Sequence, residues 1–242
     1  CVAAYAVLAI VYPVLGVSAS FRSLFCPVLA LALLISVVCL AVRRRHFKPR
    51  AELYGHALLS AGLPVLYAIV GVAVGTVFFV RSLDTAASFY QAFDNLHHLN
   101  SIRSFVDSGN YSSLNSAVYL ESAGSLASPY LWSTSSFYPS AWHGLVSMIV
   151  QALDIPITVG INAVNTMLLC VVFPVGVCEL LRVLTRDKKL VFIGAFLDVA
   201  FTASVWDFVT FGPLYPMLLS YALVPSVSAC FIRGVDRGTS RP

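Results

Sequence analysis

The chain has 242 residues, of which 59% are hydrophobic and 11% are charged. Soluble globular chains carry about 25% charged residues, so this chain has too few to cover a water-soluble surface, and it is too hydrophobic to be disordered. An integral membrane protein is therefore predicted.

The basic residues and the cysteines exclude two further classes. The net charge of +4 does not indicate a nucleic-acid partner, because Lys and Arg form short clusters between apolar runs. The cysteines lie in apolar stretches without metal-site spacing, so we predict neither a disulfide nor a zinc site. The chain begins with Cys1 and ends in a polar tail directly after an apolar run, which we interpret as a fragment of a longer protein.

Six apolar runs are long enough to cross a bilayer, whose core of about 30 Å needs about 20 helical residues. They cover residues 1–19, 24–42, 54–80, 157–181, 190–209 and 214–232. These runs predict an all-α, polytopic protein in contact with the lipid bilayer. They divide the chain into an N-terminal pair of spans (1–53), a unit of span, loop and span (54–184), and a further pair of spans (185–242).

The distribution of Lys and Arg predicts the sidedness of these runs, because cytoplasmic loops are enriched in both residues. If the cluster at 43–50 is cytoplasmic, the cluster at 182–189 and the C-terminal tail are cytoplasmic too. These three regions hold twelve of the fifteen basic residues. The predicted location is the cell membrane, with both ends of the chain cytoplasmic and the loop 81–156 extracytoplasmic.

The loop 81–156 is predicted to be ordered, because it is long and rich in aromatic residues. A first helix is predicted over about 86–106, and a second, too short to span a bilayer, over 142–153. The apolar face of the first helix groups Leu96, Leu99, Ile102 and Val106. Its opposite face groups Asp94, His97, His98 and Ser101. Both are predicted to be interfacial helices that lie on the membrane.

The first cluster with chemical potential is formed by Asp94, His97 and His98. Their spacing of i, i+3 and i+4 places them on one helix face. A carboxylate beside two imidazoles can act as a general base or bind a divalent cation, here Mg²⁺ or Mn²⁺ with Asp94 and His97 as ligands. A solvated polar face of an interfacial helix explains the same pattern equally well.

A second cluster contains Tyr138, Trp142 and His143. Aromatic faces can stack on a sugar ring or contact a lipid headgroup, and an imidazole adds a polar group. The alternative is an aromatic belt at the membrane surface, followed by a proline that opens the next helix.

Three acidic residues lie within or at the ends of apolar runs. Asp207 is predicted near the outer face, where it could join the same site as Asp94. Asp198 is predicted to be paired inside the helix bundle, because an unpaired carboxylate in a membrane costs a few kcal/mol. Glu179 is predicted to pair with Arg182 at i+3.

The order of these features carries a resemblance to a known family. A span is followed by Phe93-Asp94-Asn95-Leu96-His97-His98, then by Phe137-Tyr138-Pro139 with Trp142-His143, then by a short helix and the next span. This order resembles the GT-C superfamily of membrane glycosyltransferases, and within it an actinobacterial-type branch. The resemblance covers roughly residues 67–184.

The resemblance implies a function. It implies transfer of a sugar, with inversion, from a polyprenyl-phosphate donor to a glycan or protein acceptor of the bacterial cell envelope. The acidic residue that serves such enzymes as base or metal ligand corresponds here to Asp94. The remaining candidate substrate-binding residues are His97, His98, Tyr138, Trp142, His143 and Asp207.

Two other classes stay open. The protein could be a multi-span transporter, with Asp198 and Asp207 as ion-coupling carboxylates. It could also be a non-catalytic membrane protein of envelope assembly. Nucleotide-binding, zinc-protease and serine-hydrolase signatures are absent from the sequence.

The predicted sidedness can be tested by labelling. On a cysteine-free background, an impermeant thiol reagent should label a cysteine at Ser125 in intact cells and leave a cysteine at Arg45 unlabelled, because the loop 81–156 faces outward and the cluster at 43–50 faces the cytoplasm. The opposite pattern would overturn the predicted topology.

Overall fold

The fold is all-helical wherever the structure describes it. The computed structural model describes residues 2–46, 52–114, 137–200, 205–210 and 212–239, and no strand occurs in these ranges. The helices are α1 (Val2–Val14), α2 (Phe21–His46), α3 (Glu52–Phe78), α4 (Phe93–Ser108), α5 (Ala141–Leu153), α6 (Ile157–Leu184), α7 (Lys188–Leu197), α8 (Asp207–Thr210) and α9 (Tyr215–Thr239). Parts of the predictions lie outside the described residues, namely 47–50 of the basic cluster, 115–136 of the loop, 201–204 of the fifth apolar run and 240–242 of the C-terminal tail.

Four helices in the described ranges are long and apolar enough to cross a membrane. Their apolar stretches are Phe21–Ala41, Gly62–Ser82, Ile157–Leu184 and Tyr215–Val235. The protein is therefore a membrane protein by helix length and composition, and four of the six predicted runs are confirmed as candidate spans.

The first and fifth predicted spans are shorter than the sequence indicated. Helix α1 has 13 residues, a length of about 20 Å at 1.5 Å per residue, and the chain turns at Gly16 with φ of 68°. Helix α7 has 10 residues and ends at Asp198. Mean hydropathy alone detects neither break, which is why both runs were predicted to be uninterrupted.

The chain forms two compact units that alternate along the sequence. The first unit combines Cys1–Pro49 with Gln91–Ile161, and the second combines Arg50–Tyr90 with Asn162–Pro242. This division differs from the three consecutive segments that the apolar runs indicated.

The core of the first unit joins α1 and the start of α2 to α4 and α5. Its buried residues are Tyr5, Ala9, Ala19, Leu24, Val28, Phe105, Tyr111 and Met148. The rings of Phe105 and Tyr111 stack with centroids 5.4 Å apart, and the Tyr5 hydroxyl donates to the Ala141 carbonyl. Helix α1 is thereby fixed to the start of α5.

In the second unit, α3 and α6 pack antiparallel at close range. A Cβ at Gly71 would meet the Cys170 carbonyl and the Pro174 ring, and one at Gly75 would meet the Cys170 sulfur. Glycines allow helix backbones to approach in this way. At the same place α6 contains a π-helical segment, Leu168–Val172.

Helix α9 runs parallel to α6. Tyr221 stacks on Phe173 with ring centroids 5.4 Å apart, and further along both helices Arg233 donates to the Glu179 carboxylate. The predicted pairing of Glu179 with Arg182 is confirmed at 2.7 Å. One carboxylate therefore binds two guanidinium groups, one from each helix.

Because α6 and α9 are parallel, the chain between them must return along the bundle. Gly194 of α7 lies against Tyr67 of α3, whereas Trp206 lies against Gly75. Tyr67 and Gly75 are separated by about 12 Å along α3 at 1.5 Å per residue. The chain from α7 to Trp206 thus runs in the direction of α3 and opposite to α6.

The close α3–α6 contact can be tested with one added methyl group. Gly71→Ala should lower the free energy of unfolding by about 1–3 kcal/mol, because the new Cβ overpacks against a backbone carbonyl. The measurement is the thermal midpoint of the purified protein in detergent.

The matched control is Gly62→Ala on the same helix, where a Cβ would meet nothing within 4 Å. It should be neutral or slightly stabilising, because Ala favours helix over Gly. Equal stability of the two variants would contradict the close contact.

Candidate functional site

Helix α4 positions the first cluster of candidate residues. It begins at Phe93 after an extended Ala92, and Asp94 lies in its first turn, where the positive end of the helix dipole stabilises a carboxylate. It ends at Gly109, whose φ of 66° is a left-handed conformation that glycine adopts without strain. The helix therefore starts later than the predicted residue 86 and extends two residues beyond the predicted end at 106.

Helices α4 and α5 run parallel and are joined by a polar seam, which we define as three contacts between residues 45 positions apart. His98 Nδ1 lies 2.9 Å from His143 Nε2. The Ser147 hydroxyl lies 3.5 Å from the Ile102 carbonyl, a long contact, and Gln151 Nε2 donates to the Val106 carbonyl at 3.1 Å. The contacts recur at steps of four residues, so the two helices stay in one register over two turns.

The buried face of α4 is not the one that the helical wheel indicated. Its buried residues are Asn95, His98, Ser101, Ile102, Ser104 and Phe105. His98 and Ser101 were predicted to face water, and Leu96 of the predicted apolar face is 51% exposed. Polar residues of α4 are buried here because α5 supplies polar partners for them.

The His98–His143 pair is a buried polar contact. His143 is fully buried and His98 is 3% exposed. Burial lowers the pKa of His143 well below its usual value, and the neighbouring His98 and His97 lower it further. His143 is therefore neutral at pH 7, and in its contact with His98 one facing nitrogen donates an N–H to the other.

In front of this pair, a partly exposed surface combines Asp94, His97 and Tyr138. The rings of His97 and Tyr138 meet edge to face with centroids 4.6 Å apart. Desolvation lowers the pKa of His97, although the Asp94 carboxylate opposes the shift. Burial raises the pKa of Tyr138, and Asp94 raises it further. The surface thus presents one carboxylate beside a neutral imidazole and a neutral phenol.

Trp142 and His143 do not form the open aromatic platform that the sequence suggested. Both have no exposed surface, because they lie in the first turn of α5 and face α4. Trp142 packs against His98 with ring centroids 5.6 Å apart. They support the site from behind, while Phe137, at 70% exposure, and Tyr138 offer aromatic surface.

The candidate metal site is not complete. Within the described part of the chain, no group of three or more His, Cys, Asp and Glu side chains is placed to hold a metal ion. The Mg²⁺ or Mn²⁺ site with Asp94 and His97 as ligands therefore stays a prediction.

Two further acidic residues belong to the second unit. Asp207 is exposed at the start of α8 and belongs to the second unit, whereas Asp94 belongs to the first. Asp198 was predicted to be paired, but both of its carboxylate oxygens are buried without a hydrogen-bond partner among the described residues. The predicted pairing is therefore wrong for the part of the chain that the structure describes.

The sequence analysis did not identify Tyr111, Ser147 and Gln151 as part of the site. The Tyr111 hydroxyl donates to Gln151 Oε1 at 2.5 Å, while the amide of Gln151 holds the end of α4. Ser147 and Gln151 follow His143 at i+4 and i+8, a polar stripe on an otherwise apolar helix. That spacing could have predicted that this face of α5 contacts another polar helix face.

The comparisons with known proteins now define the family. Residues 1–242 match the model of a family described as Family of unknown function (DUF6541). The chain belongs to this family. Neither a curated protein nor a solved structure matches it significantly. The DUF6541 match covers both units, and its description carries no activity, so the function has to be argued from the site.

The buried His143 gives this DUF6541 protein a predictable response to acid. Folded His143 binds a proton less readily than unfolded His143, so the unfolded chain takes up more protons below about pH 6.5. Stability should be full above that pH and fall below it, by at most about 1.4 kcal/mol per pH unit from this group.

The measurement is the thermal midpoint in detergent as a function of pH. His143→Gln should be less stable at neutral pH and less sensitive to acid, whereas His97→Gln, on the exposed side of α4, should keep most of the wild-type slope. An unchanged acid response in His143→Gln would contradict the assignment.

Proposed function

We propose that this protein is a GT-C-like membrane glycosyltransferase that transfers a sugar from a polyprenyl-phosphate donor to an extracytoplasmic acceptor of the cell envelope. The observation that carries the proposal is the convergence of two distant motifs on one surface. Asp94 and His97 come from the motif that opens the loop, and Tyr138 comes from the motif that precedes α5. Both motifs belong to the resemblance, and the His98–His143 contact holds them together.

Asp94 is the proposed general base. It is exposed, so an acceptor hydroxyl can reach it, and it lies at the fixed start of a helix rather than on a free loop. In the proposed step, the acceptor oxygen bonds to C1 of the sugar and its proton passes to the Asp94 carboxylate. The bond from C1 to the donor phosphate breaks, and its electron pair leaves with the polyprenyl phosphate.

The leaving phosphate needs hydrogen-bond donors, and the surface offers neutral ones. Neutral His97 retains one ring N–H, and protonated Tyr138 retains its hydroxyl. Donors aimed at developing charge are a main source of catalysis. Arg103 does not serve here, because its guanidinium pairs with Asp107 at 2.7 Å in the last turns of α4.

The sidedness of the site is part of the proposal. A polyprenyl-phosphate donor for envelope assembly presents its sugar outside the cytoplasm, and the loop 81–156 carries the site. The return of the chain between α6 and α9 supports a fifth, interrupted crossing over 190–209. With five crossings after α1, the clusters at 43–50, 182–189 and the C-terminal tail share one side.

The proposal is tested by Asp94→Asn in the protein as it occurs in membranes. Transfer from a radiolabelled polyprenyl-phosphate hexose to endogenous envelope acceptors should fall about 100-fold or more, the scale of losing a general base. The amide keeps the size of the side chain, so the amount of folded protein should hardly change, as for most surface substitutions.

The matched control is Asp107→Asn, an exposed aspartate at the other end of the same helix. It should transfer at the wild-type rate. If Asp94→Asn transfers the sugar at the wild-type rate at equal protein level, Asp94 is not the general base. Absence of transfer by the wild type would favour the transporter or the non-catalytic membrane protein.

A further inference from the structure

The second unit contains an interrupted helix whose break carries a buried acid. Helix α7 ends at Leu197, and Asp198 is its C-terminal cap, with its N–H bonded to the Gly194 carbonyl. The next described helix, α8, begins at Asp207. Since α6 and α9 are parallel, this interrupted segment is the part of the chain that returns between them.

Asp198 lies inside the unit rather than at its surface. The Tyr67 hydroxyl on α3 and the Cys178 thiol on α6 are close enough to Asp198 to interact with it electrostatically. Tyr67 is fully buried and forms a core cluster with Cys178, Val191 and Ala195. Asp198 as a whole is partly exposed, but both oxygens of its carboxyl group are buried.

The nearest hydrogen-bond donors are used by backbone carbonyls of the same segment. The Tyr67 hydroxyl donates to the Val191 carbonyl at 2.6 Å. The indole N–H of Trp206, its single donor, bonds to the Val199 carbonyl at 3.0 Å. These bonds stabilise the backbone on both sides of the break and leave no side-chain donor for the Asp198 oxygens among the described residues. The backbone N–H groups of Asp198 and Val199 interact with the carboxyl group without meeting hydrogen-bond geometry.

A negative charge at this position would be unfavourable for three reasons. A buried carboxylate without hydrogen bonds loses its hydration. The C-terminal end of α7 already carries the negative end of the helix dipole. Tyr67 and Cys178 could add only negative charge if they ionised, and none of the ion pairs in the described residues includes Asp198.

A bound cation other than a proton does not fit these surroundings. Metal cations need several oxygen, nitrogen or sulfur ligands, and the described residues place no group of three or more such side chains together. A proton, in contrast, binds to a single carboxyl oxygen and needs no further ligand.

We propose that Asp198 is a proton-binding site at the break of an interrupted membrane crossing. The carboxyl group binds a proton in the folded protein and is neutral. If it loses that proton, the carboxylate has to gain water or a hydrogen-bond donor. This proposal is independent of the proposed transferase site, which lies in the other unit.

The experiment uses dicyclohexylcarbodiimide, an apolar reagent that adds to protonated carboxyl groups. The carboxyl proton moves to a nitrogen of the reagent, the carboxyl oxygen bonds to its central carbon, and rearrangement gives a stable N-acylurea with no leaving group. After treatment of native membranes at neutral pH, peptide mass spectrometry should find the adduct on Asp198.

Two acidic residues of the same unit are internal controls. Asp207 is exposed to solvent and Glu179 pairs with two arginines, so neither should react with the apolar reagent. Asp198→Asn should remove the adduct. If that variant fails to fold, the wild type still decides, because its adduct should decrease as the pH is raised.

Two results would overturn the proposal. One is an unmodified Asp198 at every pH tested in native membranes. The other is modification of Asp198 by a water-soluble carbodiimide with glycine ethyl ester as fast as modification of Asp207, which would show that the carboxyl group is hydrated.

Discussion

The polar seam between α4 and α5 is the contact on which the candidate site depends. His98 with His143, Ile102 with Ser147, and Val106 with Gln151 fix the register of two parallel helices. Each net hydrogen bond adds about 0.5–1.5 kcal/mol, but a shift of register would leave several buried polar groups unpaired at about 1–3 kcal/mol each. The main effect of the seam is therefore to fix one arrangement of Asp94, His97 and Tyr138, and its net contribution to stability is smaller.

The second unit is governed by a different constraint, the direction of its helices. Two helices that run parallel within one unit require the chain between them to return, and here that chain is interrupted at a buried aspartate. In a membrane, irregular backbone is tolerated where protein surrounds it. Tyr67 and Trp206 provide such surroundings by donating to the carbonyls of Val191 and Val199. The break is thus held by specific contacts.

The sequence predicted the elements better than their contacts. Composition sufficed for the helical membrane class, and the predicted end of the second loop helix at residue 153 is the end of α5. Hydropathy could not detect the end of α1 or the interruption at Asp198, since both lie in apolar sequence. The wheel of α4 placed His98 toward water because polarity along one helix cannot show that a second helix, 45 residues later, supplies the partner.

The most direct test of the seam is a double-mutant cycle of stability in detergent with His98→Ala, His143→Ala and the double variant. Each single change should destabilise the protein by leaving a buried nitrogen without its partner. The double variant should be more stable than the sum of the two losses indicates, by a coupling energy of about 0.5–3 kcal/mol. Losses that add within about 0.3 kcal/mol would contradict the direct His98–His143 contact and the assembly of the site from the two motifs.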